Sequence, residues 1–407
     1  MKIWLKCIIA MAIGLLAGFV LPLEKDSWII GLSAIMLNFG RYVLLPLLFF
    51  SAAIAAFELY ESKMLHKIIS KAILAGILSM VSLGFIGLLA AFLFAPGRIP
   101  LAADTASPAE AIPGPLSILG QFFPSDAFST LGNFDFLLPA VIFAIILGLA
   151  FSHDKTATKP VVVFFDSMSR ILWQANSFLV EILPLALVFA STAVSISIFK
   201  TQRIAMYSSL FLTIAIETLF VVLVFMPLAL WLFNRKDNPF KTMYAFLAPS
   251  LIALVSGHSY VQAGASAKHL KESLGVRRRA SSLSLPLALF FGKAGTTMVT
   301  ATAFVSVLNS YSNLGLGSNV FFWILLMAPL YSLFLGAKPG LGPLCAVAAL
   351  CGAYGRGFES GYILFIPVAL PLSMLAAYLD ALMASCIVYA VANSEGLAQQ
   401  KDTRHFI

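Results

Sequence analysis

Residues 321–354 read FFWILLMAPLYSLFLGAKPGLGPLCAVAALCGAY, an apolar run that stops at GAKPGLGP and then resumes. Each half falls short of the roughly 20 apolar residues needed to cross a bilayer core of about 30 Å. The Gly and Pro residues between the halves break a helix rather than extend it. A second stretch of this kind occupies 240–268, where VSGHSYVQAGAS (255–266) interrupts an apolar half. Irregular backbone at membrane depth persists only where protein or a water-filled cavity surrounds it. Both stretches therefore read as re-entrant helical hairpins whose tips meet near the midplane. The alternative for each is an ordinary span with a Gly/Pro kink. Paired broken helices in the two halves of a chain point to a transporter's binding site. Half-helix N-termini there offer open N–H groups and a positive dipole end to an anion.

The remainder of the chain agrees with a membrane setting. Of its 407 residues 60% are hydrophobic and 11% charged, against roughly 25% charged in soluble domains. That excludes a soluble enzyme, a disordered chain and a disulfide-stapled domain. Eight long apolar segments run approximately from Trp4 to Leu23, Trp28 to Phe57, Ile69 to Phe94, Phe136 to Phe151, Val161 to Ile198, Ile204 to Phe233, Ala280 to Leu308 and Tyr362 to Val391. The fifth exceeds a perpendicular span, which predicts tilt or a break near Pro184. The opening, with Lys2, Lys6 and no Ala-x-Ala-like site, reads as a first helix rather than a signal peptide.

The net charge of +8 reports topology rather than a nucleic-acid partner. Basic residues gather in alternate loops, at Lys63, Lys67 and Lys71, at Lys155 and Lys159, at Arg235, Lys236 and Lys241, and at Arg277 to Arg279. By the positive-inside rule both termini face the cytoplasm and the polar loop from Gly97 to Asp135 faces outside. Cys7, Cys345, Cys351 and Cys386 lack metal or redox spacing and read as small hydrophobes. No phosphate-binding glycine loop, zinc spacing or nucleophile triad is visible, so neither an ATP-driven pump nor an enzyme is expected, and no cofactor.

The order of elements, six spans, a hairpin, a span, a hairpin and a last span, resembles the dicarboxylate/amino acid:cation symporters, the glutamate-transporter family. NFGRYVLLPLLFFSAAIAAFE (38–58) is similar to that family's second helix and GNFDFLLPAVIFAIILGLAF (132–151) to its fourth. KESLGVRRRASSLSLPLALFF (271–291) resembles the exit from its first hairpin into the seventh helix, and GAKPGLGP (336–343) the tip of its second hairpin. The resemblance implies an all-α polytopic membrane protein of eight transmembrane helices plus two re-entrant hairpins, with an elevator-type transporter fold and a homotrimeric assembly. It divides the chain into scaffold helices one and two (1–60), transport-domain helix three (61–99), the outer loop with scaffold helices four and five (100–203), a transport domain of helix six, both hairpins and helices seven and eight (204–396), and a cytoplasmic tail (397–407).

Departures from the family pattern locate the chemistry. The serine-rich first tip is here Ser256, Gly257, His258, Ser259 and Tyr260. The Asn-Met-Asp-Gly-Thr sodium element is Gly292, Lys293, Ala294, Gly295 and Thr296, so only Gly-Thr survives. The family's Asp, Arg, Asn and Asp of helix eight fall on Ser373, Ala376, Asp380 and Ala384. The substrate-reading Arg and most sodium ligands are thus absent.

Lys293 lies far from either end of an apolar segment, beyond the reach of snorkelling, and an intramembrane ionisable group is a functional candidate by default. Asp380, the only carboxylate of its helix, is its expected partner, with the ammonium standing where the family binds sodium. A static ion pair ordering two helices is the bland alternative. Lys338, beside Gly340 and Gly342 at the second tip, either supplies the missing positive charge to an anionic substrate or is an exposed gate lysine. His258 and Ser259 line the pocket or shuttle a proton, or are simply hydrogen-bonded, and Tyr260 shrinks the pocket. Thr296, Ser373 and Asp380 complete the expected substrate site. Glu181 and Glu217 either relay protons or pair with Arg170 or backbone, and the latter is expected.

These residues predict a secondary active transporter of a small, anionic organic solute such as a dicarboxylate or amino acid, in the plasma or inner membrane. The coupling ion is a proton or sodium, with the proton favoured by the lost ligands. The alternative is a non-transporting descendant serving as an anion channel or a substrate sensor.

Overall fold

The computed structural model describes residues 2–21, 26–94, 96–100, 126–127, 129–132, 137–200, 204–233, 238–311, 317–335, 340–399, 401, 403 and 406–407. Apart from one isolated bridge, the described residues are helical wherever they are regular. The first half contains α1 (Ile3–Val20), α2 (Asp26–Arg41), α3 (Leu44–Glu61), α4 (Leu65–Phe94), α5 (Leu138–Phe151) and α6 (Lys155–Lys200). The second contains α7 (Ser208–Phe220), a π-helical turn (Val221–Phe225), α8 (Met226–Phe233), α9 (Pro239–Ala245), α10 (Leu247–Ser256), α11 (Ala263–Glu272), α12 (Arg278–Phe291), α13 (Ala294–Tyr311), α14 (Ser318–Leu335), α15 (Gly342–Tyr354) and α16 (Ala369–Ser394).

Burial sorts these helices into a centre and a lipid-facing rim. The α12–α13 segment is 94% buried over its most apolar window, against 28% for α1 and 22% for α14. Large side chains on the rim, Phe19, Val20, Phe322 and Leu326 among them, are exposed. Apolar exposure on this scale fits a surface covered by lipid or by other protein. Among the described residues, eight helical stretches are long and apolar enough to cross a membrane, and α9 with α10 forms a further pair bent by 50°.

Three segments bear on the sequence expectation. The segment from Phe136 to Phe151 yields only the 14-residue α5, about 21 Å long at 1.5 Å per residue. It starts at Leu138 with Pro139 in its first turn, a position where the missing N–H costs nothing. By contrast α14, taken above as half of a hairpin, is 18 residues and passes the length test alone. The long fifth segment runs through Pro184 as one 46-residue helix. Its surplus length is the N-terminal part bearing Lys155, Lys159, Asp166 and Arg170, which needs no bilayer.

Two other apolar segments are interrupted for local reasons. Pro46 cannot tolerate a helical carbonyl four residues earlier, and the turn at Tyr42–Val43 separates α2 from α3 there. Gly292 ends α12, and a Cβ on it would lie 2.4 Å from the Ala288 carbonyl oxygen. The chain resumes as α13 after Lys293.

Candidate functional site

The break at Gly292–Lys293 leaves the first N–H groups of α13 without intrahelical acceptors. A side chain from α16 fills that role. Asp380 Oδ1 accepts the Thr296 backbone N–H at 3.0 Å, and Oδ2 accepts the Thr296 hydroxyl at 2.6 Å. The carboxylate thus caps a helix from outside it, where the helix dipole favours negative charge. Gly295 permits the approach, since a Cβ there would lie 2.5 Å from the Ala376 carbonyl oxygen. The surviving Gly-Thr therefore has a physical reason: the glycine admits α16 and the threonine binds its carboxylate.

Lys293 is buried at 1% exposure, and its ammonium faces the tip between α10 and α11. It donates to Ser259 Oγ and lies 4.4 Å from the centroid of the Tyr260 ring. A desolvated cation–π contact contributes about 2 kcal/mol. The tip turns at Gly257, whose φ of +62° suits glycine. His258 Nδ1 accepts the Tyr260 backbone N–H at 3.0 Å, which leaves the ring proton of a neutral imidazole on Nε2.

The expected Lys293–Asp380 tether does not form as a direct ion pair. Among the described residues no ion pair within 4.0 Å joins them, although the two charges interact across the site. The reason is competition: Asp380 is engaged by the α13 N-terminus and Lys293 by the tip.

The two tips meet. The Gly340 N–H donates to the Gly257 carbonyl oxygen at 3.3 Å, and Gly340 also has a positive φ, +68°. Gly342 opens α15 with Pro343 in its first turn. Lys338 lies outside the described residues. His258, Ser259, Tyr260, Lys293, Thr296, Ser373 and Asp380 are each at most 4% exposed. Ser373 turns its hydroxyl back to the Ala369 carbonyl at 2.8 Å.

Residues not anticipated from the sequence extend the site. Ser266 on α11 donates to Gln262 Oε1 and meets Ser385 Oγ of α16 at 2.7 Å. The Gln262 Nε2 donor is buried without a partner among the described residues. An amide and a hydroxyl at Gln262 and Ser266 (i, i+4) are the available signal, but the Ser385 hydroxyl that meets Ser266 lies 119 residues further on.

The glutamates also find partners other than those expected. Glu181 on α6 pairs with Lys268 of α11 at 2.9 Å, while Arg170 pairs with Asp166 at 2.9 Å. Glu217 of α7 is buried and held by the Thr302 hydroxyl of α13. The basic run contributes one specific contact, Arg278 to Asp166.

Comparison with known proteins agrees with this architecture. The profile of the sodium:dicarboxylate symporter family matches residues 3–394. The serine/threonine transporter SstT of Acinetobacter baylyi is 24% identical over 368 residues, covering 89% of this chain and 84% of that protein. The proton/sodium-glutamate symport protein of Geobacillus stearothermophilus is 22% identical over 68% of this chain and 67% of its own length. Neutral amino acid transporter A of Homo sapiens is 26% identical over 54% of this chain, which spans 41% of that protein. With the family profile running through nearly the whole sequence, the chain belongs to the sodium:dicarboxylate symporter family, whose members are membrane transporters and not enzymes.

Proposed function

We propose that the chain is a secondary transporter of a small solute bearing a carboxylate, an amino acid or a dicarboxylate, and that it recognises this group with Lys293 rather than with an arginine on α16. One observation carries the reading: a buried ammonium stands at the helix break with no carboxylate in ion-pair contact among the described residues. A buried cation with no carboxylate in contact is costly, and an incoming carboxylate offsets that cost only while it is bound. The open Gln262 amide donor suits the same kind of ligand. The relatives named for serine/threonine, neutral amino acid and glutamate transport all handle solutes with that group.

In this reading the Lys293 ammonium supplies the charge that family members obtain from sodium, and transport proceeds without sodium. The scaffold consists of α1–α3, α5 and α6. The moving body is α4 together with α7–α16. Polar contacts between them, Lys268 with Glu181 and the Asn176 amide on the Gly264 carbonyl at 3.0 Å, are of a kind that a sliding domain exchanges at little cost. Trimeric assembly and an inner or plasma membrane setting belong to the same proposal by family resemblance, and cytoplasmic termini by the charge alternation.

Uptake of labelled aspartate, glutamate, succinate and neutral amino acids into proteoliposomes tests it, with sodium, proton and no gradients compared. The expected result is proton-driven uptake or gradient-independent exchange of at least one solute. Uptake only under a sodium gradient would overturn the role given to Lys293. Dissipation without accumulation would indicate a channel.

A further inference from the structure

The buried carboxyl of Glu217 takes no part in the site above, and its surroundings are short of hydrogen atoms. Glu217 is 1% exposed on α7. Thr302 Oγ1 of α13 lies 2.9 Å from its Oε1 and 3.0 Å from its Oε2. The same hydroxyl is 3.1 Å from the Met298 carbonyl oxygen and 3.4 Å from the Gly87 carbonyl oxygen of α4. Four acceptor oxygens from three helices thus converge on one hydroxyl, which has one hydrogen to give. The neighbouring Thr218 Oγ1 is likewise buried with no partner among the described residues.

Among the described residues no cation pairs with Glu217. Within α7 it is the only ionisable residue. On α4 the ionisable residues are His66, Lys67 and Lys71, all near its start, and Lys71 is 16 residues from Gly87, or about 24 Å along the helix. On α13 there is only Tyr311, and Lys293 precedes that helix by one residue, about 13 Å from Thr302 along the axis. Tyr207, just before α7, spends its hydroxyl on the Leu364 carbonyl at 2.7 Å. The π-helical turn Val221–Phe225 carries no titratable group.

We propose that Glu217 is a proton-binding site of the moving body, with the proton as its ligand and the Thr302 hydroxyl as the reporter of its occupancy. The added proton forms an O–H bond on one carboxyl oxygen and donates to Thr302 Oγ1, which in turn donates to Met298 O within α13. Loss of the proton to water leaves a carboxylate that claims the Thr302 hydrogen, and the Met298 bond is given up. No other bond forms or breaks. Protonation thereby alters how α7, α13 and α4 are joined.

Two features of the fold suit this exchange. A Cβ on Gly87 would lie 2.8 Å from Met298 O and 3.1 Å from Thr302 Oγ1, so glycine is needed for the three helices to converge. The π-helical turn begins four residues after Glu217; such turns occur frequently at functional sites and loosen the regular ladder. The proposal rests on the transporter reading only for its consequence, that this proton is the one moved with the solute.

Infrared spectroscopy of the reconstituted full chain near neutral pH tests the binding itself. The expected result is a carbonyl stretch of a neutral carboxylic acid that shifts on deuteration, moves when glutamate carboxyls are labelled with carbon-13, stays when aspartate is labelled, and is lost in Glu217→Gln. Absence of a glutamate-derived acid band, or its persistence in Glu217→Gln, would overturn the proposal. Should that variant fail to fold, the labelled wild type decides alone, and Thr302→Val is expected to raise the band frequency as the hydrogen bond to the carboxyl is lost.

Solute counterflow tests the consequence. An outward-to-inward proton gradient is expected to accelerate uptake by the wild type, while Glu217→Gln retains exchange and loses that stimulation. Stimulation that survives in Glu217→Gln would exclude a coupling role. If no solute moves in either protein, the transporter reading fails, and the infrared band still decides the proton site.

Discussion

Helix α13 meets two buried carboxyl groups, and they are held in opposite ways. Near its start, Asp380 receives a backbone N–H and a hydroxyl at a helix N-terminus. Less than two turns on, Glu217 shares a single hydroxyl with two carbonyl oxygens. The first environment supplies donors and a favourable dipole, so a negative charge is accommodated without a cation in contact. The second supplies acceptors, so it is satisfied by a proton. Burial is nearly equal, 3% against 1% exposure. Donor count, rather than depth, separates a structural carboxylate from a protonation site.

The comparison can be broken most severely at Gly295. Gly295→Val places side-chain atoms against the α16 backbone, where even a Cβ meets the Ala376 oxygen at 2.5 Å. Overpacking of this kind against rigid backbone should cost more than about 3 kcal/mol, seen as loss of monodisperse protein on size-exclusion chromatography. A well-folded variant would mean that the α13–α16 contact is looser than described.

Asp380→Ala should follow, costing about 2–3 kcal/mol for the loss of charge-assisted bonds to the α13 N-terminus. Thermal unfolding in detergent measures it. If the variant were as stable as the wild type, Asp380 would not be capping α13.

Coupling energies sharpen the assignment of Lys293. A double-mutant cycle of Lys293→Met with Ser259→Ala should give about 1–2 kcal/mol, and Lys293→Met with Asp380→Asn less. The reverse order would restore the direct Lys293–Asp380 tether that the geometry lacks.

The smallest effect is expected at the interface of the two bodies. Glu181 is more than half exposed where it meets Lys268, and Lys268, itself 3% exposed, keeps the Ser177 carbonyl at 3.2 Å, so Glu181→Gln should change stability by about 1 kcal/mol. Its mark should be on the rate of solute exchange, measured by counterflow. A large stability loss with unchanged exchange would make this contact a fixed strut.

Much of this arrangement was legible in the sequence, for identifiable reasons. The break at Gly292–Lys293 and the two glycine-bearing tips show because glycine, proline and a charge are conspicuous in apolar runs. The burial of Lys293 follows from the uncharged residues on both sides. Its neighbours were not readable: Ser259 lies 34 residues away, and only the fold makes Tyr260 face the ammonium. Asp380 was the obvious partner by charge, yet sequence has no means to reveal that a helix N-terminus competes for it. Glu217 was discounted because nothing in ETLF hints at Thr302, 85 residues on. Excess length predicts tilt or a break near Pro184, and the helix runs through that proline unbroken, since a proline inside a long helix does not by itself fix where the helix ends.

The central claim is that the Lys293 ammonium receives the carboxylate of the transported solute. Counterflow of labelled amino acids and dicarboxylates in sodium-free medium, compared between wild type and Lys293→Gln, tests it most directly. The account predicts saturable exchange by the wild type and its loss in Lys293→Gln with the fold retained. Exchange that requires sodium and survives in Lys293→Gln would contradict it.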